Sequence, residues 1–209
     1  MKTELIRVIL DIYKKYGIRE LPFDVFDLAR RMGYDTRRYS NLPEAKRQSC
    51  MELSHDAVTI GNTIYYNDKY PSTRIRFTLA HELGHIILHT EDEDLADAFA
   101  GALLAPRPMV IAYDCKTADD IKKRFNISIS AANRAIYLRD NHYPVNFLEY
   151  RKMSIEMRKW FGVEPETPPA RKGKPVDKRI LKIFETRESL GISDDKAFEM
   201  FENRRLEEY

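Results

Sequence analysis

The sequence predicts an α+β protein, and three observations predict it. Residues 3–31 place apolar side chains at helical spacing, residues 33–67 break into short extended runs, and residues 76–106 return to strong helical periodicity. The third stretch carries His81-Glu82-Leu83-Gly84-His85, an H-E-x-x-H motif in apolar surroundings.

Taken in order, Leu5, Ile6, Ile9, Ile12, Tyr13 and Tyr16 form one helical stripe, with Gly17 as its C-cap. Leu21-Pro22-Phe23-Asp24 opens a second helix that buries Val25, Phe26, Leu28 and Ala29 and ends by Gly33. Four extended runs follow: Tyr34–Arg37, Ser49–Leu53, Ala57–Ile60 and Thr63–Tyr66, the last two joined at Gly61-Asn62 as a hairpin. A small antiparallel sheet is expected, with Thr63–Tyr66 beside the motif helix. An edge strand there could pair with an extended peptide through main-chain hydrogen bonds. Arg74 and Arg76 read as surface charge at a helix start.

Within the motif, two histidines four apart lie one turn apart on the same helix face, so both imidazoles can reach one small metal ion. Glu82 is placed to take a proton from the attacking water. Leu79, Leu83, Ile86 and Ile87 occupy the opposite stripe, which would bury the helix and hold the ligands still. A catalytic zinc site usually takes three protein ligands, and the acidic run from Glu91 supplies candidates for the third. Glu93 opens a second apolar helix, with Asp97 one turn on to steady a ligand imidazole. Glu91 ranks below Glu93, because Leu88 stands where a turning glycine would be needed. His81 and His89 are about 12 Å apart along the helix, which makes His89 a helix-end or supporting residue rather than a ligand.

The run Arg76-Phe77-Thr78-Leu79-Ala80-His81-Glu82-Leu83-Gly84-His85, then E-x-x-A-D-x-F-A and Leu103-Leu104-Ala105-Pro106, resembles the ImmA/IrrE family of zinc metallo-endopeptidases. The resemblance covers about residues 1–140. It implies a zincin-like core with Zn²⁺ held by His81, His85 and Glu93 and with Glu82 as general base. Members of that family are bacterial and phage proteins, often encoded beside a helix-turn-helix repressor that they cleave or antagonise, so such a regulator is the implied protein partner. The alternatives are a metal-containing module that displaces the repressor by contact alone, and a structural metal protein. An intact Glu82 argues against the first, and a missing fourth protein ligand against the second. Tyr65, Tyr66 and His142 are candidates for stabilising the oxyanion.

The implied peptidase domain spans 1–145. Near 118–138 two short helices around Asn126–Ser130 look like a helix-turn-helix, but only Arg134 and Arg139 are basic in the second, so direct nucleic-acid binding is not expected. Residues 146–178 read as a basic, proline-rich linker and 179–209 as a helical tail. A net charge of +2 adds no general basic field. No apolar run approaches the roughly 18 residues of a membrane span. The N-terminal helix has charges among its apolar positions, unlike a signal peptide. Cys50 and Cys115 have no metal-binding spacing, and a reduced, cytoplasmic protein is expected.

Overall fold

The computed structural model describes residues 3–141 and 147–163. Helices α1 (Thr3–Lys15) and α2 (Val25–Arg31) form where the periodicity places them. α1 turns Ile6, Ile9, Leu10 and Tyr13 into the core, and the Tyr13 hydroxyl donates to the carbonyl of Leu103. Asp24 caps α2 by accepting from the amide of Phe26.

The chain then forms β1 (Asp35–Arg38), α3 (Glu44–Leu53), β2 (Ala57–Ile60) and β3 (Thr63–Tyr66). The sheet order is β1-β3-β2, with β3 in the centre. Two expectations are corrected here. The sheet is mixed, because β1 runs parallel to β3 (Asp35 opposite Thr63) while β2 runs antiparallel to it (Thr59 opposite Ile64). A tight turn at Gly61, φ 58°, suffices for the antiparallel pair, whereas β1 reaches β3 through a long crossover containing α3. The second correction is Ser49–Leu53, which is helical rather than extended. That helix buries only Cys50 completely, so its sequence carries almost no apolar period to read.

The pleat gives the sheet two packed faces. Ala57, Ile64 and Tyr66 join the main core, while Tyr65 joins Tyr39 and Cys50 in a small second cluster beneath α3. Helix α4 (Ser72–Leu88) lies across the main-core face against β2 and β3. It is buried on more than the expected stripe: Thr78, Leu79, Ala80, Leu83 and Gly84 are buried, and Ile86 and Ile87 only partly. Arg74 is a surface charge as expected, held in an ion pair by Asp56 and stacked on Tyr70. Arg76 is not. It turns inward and donates to the carbonyl of Phe23 at 3.0 Å, with Nε and Nη2 buried and without a partner among the described residues, and burial holds its pKa below the ordinary guanidinium value.

Helix α5 (Glu93–Leu104) packs along α4, and α6 (Arg107–Ala112), α7 (Ala118–Phe125) and α8 (Ile129–Asn141) follow. Glu93–Ala112 is apolar enough by length and composition to cross a membrane, which the sequence reading did not credit. In the fold it is mostly buried, as α5 and α6. Thr117 and Asp120 form a reciprocal cap on α7, and Asn126, φ 51°, turns the chain into α8 as the sequence suggested.

Helix α9 (Phe147–Trp160) corrects the expected linker over its first part. Tyr150, Met153 and Met157 are buried against the core, and Trp160 donates through Nε1 to the carbonyl of Ile18 at 2.6 Å. Lys14 and Arg7 on α1 pair with Glu156 and Glu149 on α9. The apolar spacing 150, 153, 157 was hidden among basic residues whose heads stay in water. Residues 164–178 of the expected linker, and the tail 179–209, lie outside the described residues.

Candidate metal centre and active site

Helices α4 and α5 build the site together. α4 runs through the motif and ends at His89, whose left-handed backbone (φ 49°, ψ 50°) reverses the chain. This replaces the glycine turn absent at Leu88, and it is how the short span from His85 to Glu93 closes. Asp92 then caps α5 by accepting from the amide of Leu95. Gly84 permits the approach of the two helices: a Cβ there would lie 3.1 Å from Phe99 Cδ1 and 3.2 Å from both Cα and O of Ala96.

The consequence is a converging set of donors. His81 Nε2 and His85 Nε2 lie 2.9 Å apart, and Glu93 reaches them at 3.0 and 3.5 Å. One ligand atom from each of the three residues lies within 4.8 Å of the others. The opposite ring nitrogens are already engaged. His81 Nδ1 meets Asp97 Oδ1 at 2.8 Å, and His85 Nδ1 meets the carbonyl of Thr90 at 2.7 Å. A carbonyl oxygen only accepts, so His85 Nδ1 carries its hydrogen, and a neutral ring then turns an Nε2 lone pair inward. The same logic at Asp97 turns the His81 lone pair inward. Two imidazole lone pairs and a carboxylate aimed at one point repel each other unless a cation lies between them. The donor set therefore fits a metal ion, and nitrogen with carboxylate oxygen suits zinc.

Glu82 projects beside this group toward the sheet. Thr59, at the middle of β2, donates its hydroxyl to Glu82 Oε2 at 2.6 Å. Among the described residues β2 has no strand on its outer side, so β2 is the edge strand beside the site. The histidine side chains are 16 and 21% exposed, whereas Glu93 is 78% exposed, which leaves the group open on the Glu93 side.

Other sequence candidates fall as follows. Asp97 sits against His81, and His89 is the helix end. Glu91 lies exposed in the turn, outside the converging group. The Tyr65 hydroxyl accepts from Lys46 Nζ at 2.7 Å and the Tyr66 hydroxyl from Arg38 Nε at 3.2 Å, so both point to these cations rather than to the histidines. His142 lies outside the described residues. Thr59 and the Thr90 carbonyl were missed, and nothing in a single sequence marks either. Arg134 Nη1 lies 3.9 Å from Asp97 Oδ2. Arg139 donates to the carbonyls of Cys115 and Lys116.

A metal-ready donor triad, an adjacent carboxylate and an open strand edge on an α+β frame define a metallopeptidase class of site. The family model for the IrrE N-terminal-like domain, Peptidase_M78, matches residues 30–137, more than half of the chain. The chain belongs to this family of metal-dependent peptidases. No curated protein matches it in sequence.

Proposed function

We propose that the protein is a zinc-dependent endopeptidase acting in the cytoplasm on a helix-turn-helix transcriptional regulator. The observation that carries the peptidase reading is the convergence of His81, His85 and Glu93 beside a Glu82 fixed by the edge strand. The substrate class is supported by the family resemblance of the motif region. Zinc bound by the triad would supply a Lewis acid that polarises the peptide carbonyl and acidifies water.

The chain's own residues do the rest. Asp97 and the Thr90 carbonyl hold the two imidazoles in the tautomer that turns Nε2 inward. Glu82 accepts a proton from the attacking water and delivers it to the leaving amine. Thr59 keeps the accepting carboxylate in one position without supplying a competing base. An extended substrate can add to the outer edge of β2, which brings its backbone alongside Glu82.

The test compares tagged wild type with Glu82→Gln in the native host, with captured proteins and fragments identified by mass spectrometry. The variant is expected to hold an intact regulator that wild type leaves in pieces, because the amide accepts no proton. Capture of the same intact protein by both would reject catalysis in favour of action by contact alone.

A further inference from the structure

Asp97 holds His81 with one oxygen only. Its Oδ1 meets His81 Nδ1 at 2.8 Å, and among the described residues its Oδ2 has a single partner, the Arg134 guanidinium, with Nη1 at 3.9 Å. The relation is reciprocal, since among the described residues Asp97 is the one ion-pair partner of Arg134.

Arg134 comes from α8, whose place in the fold is set at both ends. At its start Ser128 Oγ accepts from the amide of Ala131 at 3.1 Å, and at its other end the carbonyl of Arg139 accepts from Arg107 Nη2 at 2.8 Å. Ala132 is fully buried between them. A cavity of about 650 Å³ separates α8 from α4 and α5, with Asp97 and Arg134 both in its wall. Ala131 and Ala135 are too short to cross that space, and the long stem of Arg134 does cross it. The other arginines of the wall are committed elsewhere, Arg74 to Asp56 at 2.7 Å and Arg107 to the Arg139 carbonyl.

The charge balance gives this contact a purpose. Glu82, Glu93 and Asp97 bring three carboxylates around two neutral imidazoles. A divalent ion offsets two of the negative charges, and Arg134 supplies the third positive charge from behind Asp97, away from the donor atoms. The terminal torsion of an aspartate is broad, so a carboxylate held at one oxygen can turn. A cation at the second oxygen fixes its plane, and through it the ring that it holds.

We propose that Arg134 is a positioning residue of the metal centre: it holds Asp97 Oδ2 so that Oδ1 stays on His81 Nδ1 and Nε2 stays aimed at the ion. The centre then draws on a third helix, α8, besides α4 and α5. This assignment rests on the zinc reading of the triad and extends it.

The test measures Zn²⁺ affinity of the full chain by competition with a chromophoric chelator, for wild type, Arg134→Met, Arg134→Lys, Asp97→Ala and the double variant Asp97→Ala with Arg134→Met. His81→Gln, expected to lose the ion, locates the binding at the triad. Met keeps the apolar stem and removes the charge, and thermal melting checks folding; Arg134→Ala replaces it if it does not fold. The pair is half-exposed, with side chains 57 and 39% accessible, so the effect is modest: Arg134→Met should bind Zn²⁺ about threefold more weakly. Arg134→Lys should recover most of the loss, and in the Asp97→Ala background the Met substitution should cost nothing further.

The sign is discriminating. A cation that acted only through its field would repel Zn²⁺, and its removal would tighten binding. Unchanged or tighter binding in Arg134→Met therefore overturns the assignment while the zinc reading stands. An equal loss with and without Asp97 overturns it as well. If wild type binds no Zn²⁺, the zinc reading fails and the positioning is judged on the metal-free protein. There the His81 Nδ1 proton, identified in NMR spectra by its absence in His81→Gln, should exchange with water about threefold faster in Arg134→Met. An unchanged exchange rate overturns the assignment.

Discussion

The Thr59 hydroxyl donates to the Glu82 carboxylate at 2.6 Å, tying the motif glutamate on α4 to the edge strand β2. One hydrogen bond thus couples the group that would move the proton to the strand along which the substrate would lie. Thr59→Val keeps a strand-favouring side chain but removes the donor. We expect kcat to fall about tenfold, near 1.4 kcal/mol, with zinc affinity unchanged and with recovery in Thr59→Ser. Peptide cleavage assays on the three proteins check this, and a Thr59→Val enzyme as fast as wild type would remove Thr59 from the mechanism.

Asp97 acts on the metal group through His81 Nδ1 at 2.8 Å. Asp97→Ala frees the ring to rotate and lets its tautomer drift. Zinc affinity should drop about 10- to 100-fold, as for other carboxylates that support a ligand histidine. Competition with a chromophoric chelator measures the change directly, without any need for turnover.

Gly84 sets the separation of α4 and α5. A methyl group there must push against Ala96 Cα and O at 3.2 Å, and backbone cannot swing aside as a side chain can. Gly84→Ala gains helix propensity, yet it should destabilise by about 1–3 kcal/mol through overpacking. Urea denaturation reports the net sign. Because Glu93 rides on α5, zinc affinity should fall in the same variant.

Acid should weaken the cap of α7. Asp120 accepts from the amides of Thr117 and Lys116, and its hydrogen bonds to Thr117 above all hold its pKa below the ordinary carboxylate value. A group with a lowered folded pKa stabilises above its unfolded pKa, and that contribution is lost as pH falls through the folded one. Asp120→Asn should therefore be less stable than wild type near neutral pH, with the gap narrowing below the ordinary carboxylate range. Denaturation midpoints across an acid series give the comparison.

Much of the site was legible because its spacing is local. Residues 81 and 85 share a helix face whatever surrounds them, and Glu93 and Asp97 stand one turn apart on the next helix. Helix and hairpin boundaries were legible for the same reason: Asp24, Gly33, Gly61 and Asn126 each impose a conformation on their immediate neighbours. Where the local signal was weak the reading failed. Helix α3 buries one residue completely and carries little period, and the buried stripe of α9 was masked by lysines and arginines.

Local spacing was enough to read the shared helix face of His81 and His85, the general α+β order and the family signature, since each depends on residues a few positions apart. Only the tertiary structure decided that β2 is the edge beside Glu82, that Thr59 holds that glutamate, that Arg76 turns inward, and that α4, α5 and α8 leave a cavity next to His81. Those outcomes depend on which surfaces meet across long chain separations. Packing chooses such meetings by burying apolar area and pairing polar groups in the whole fold, and no short window of residues encodes that choice.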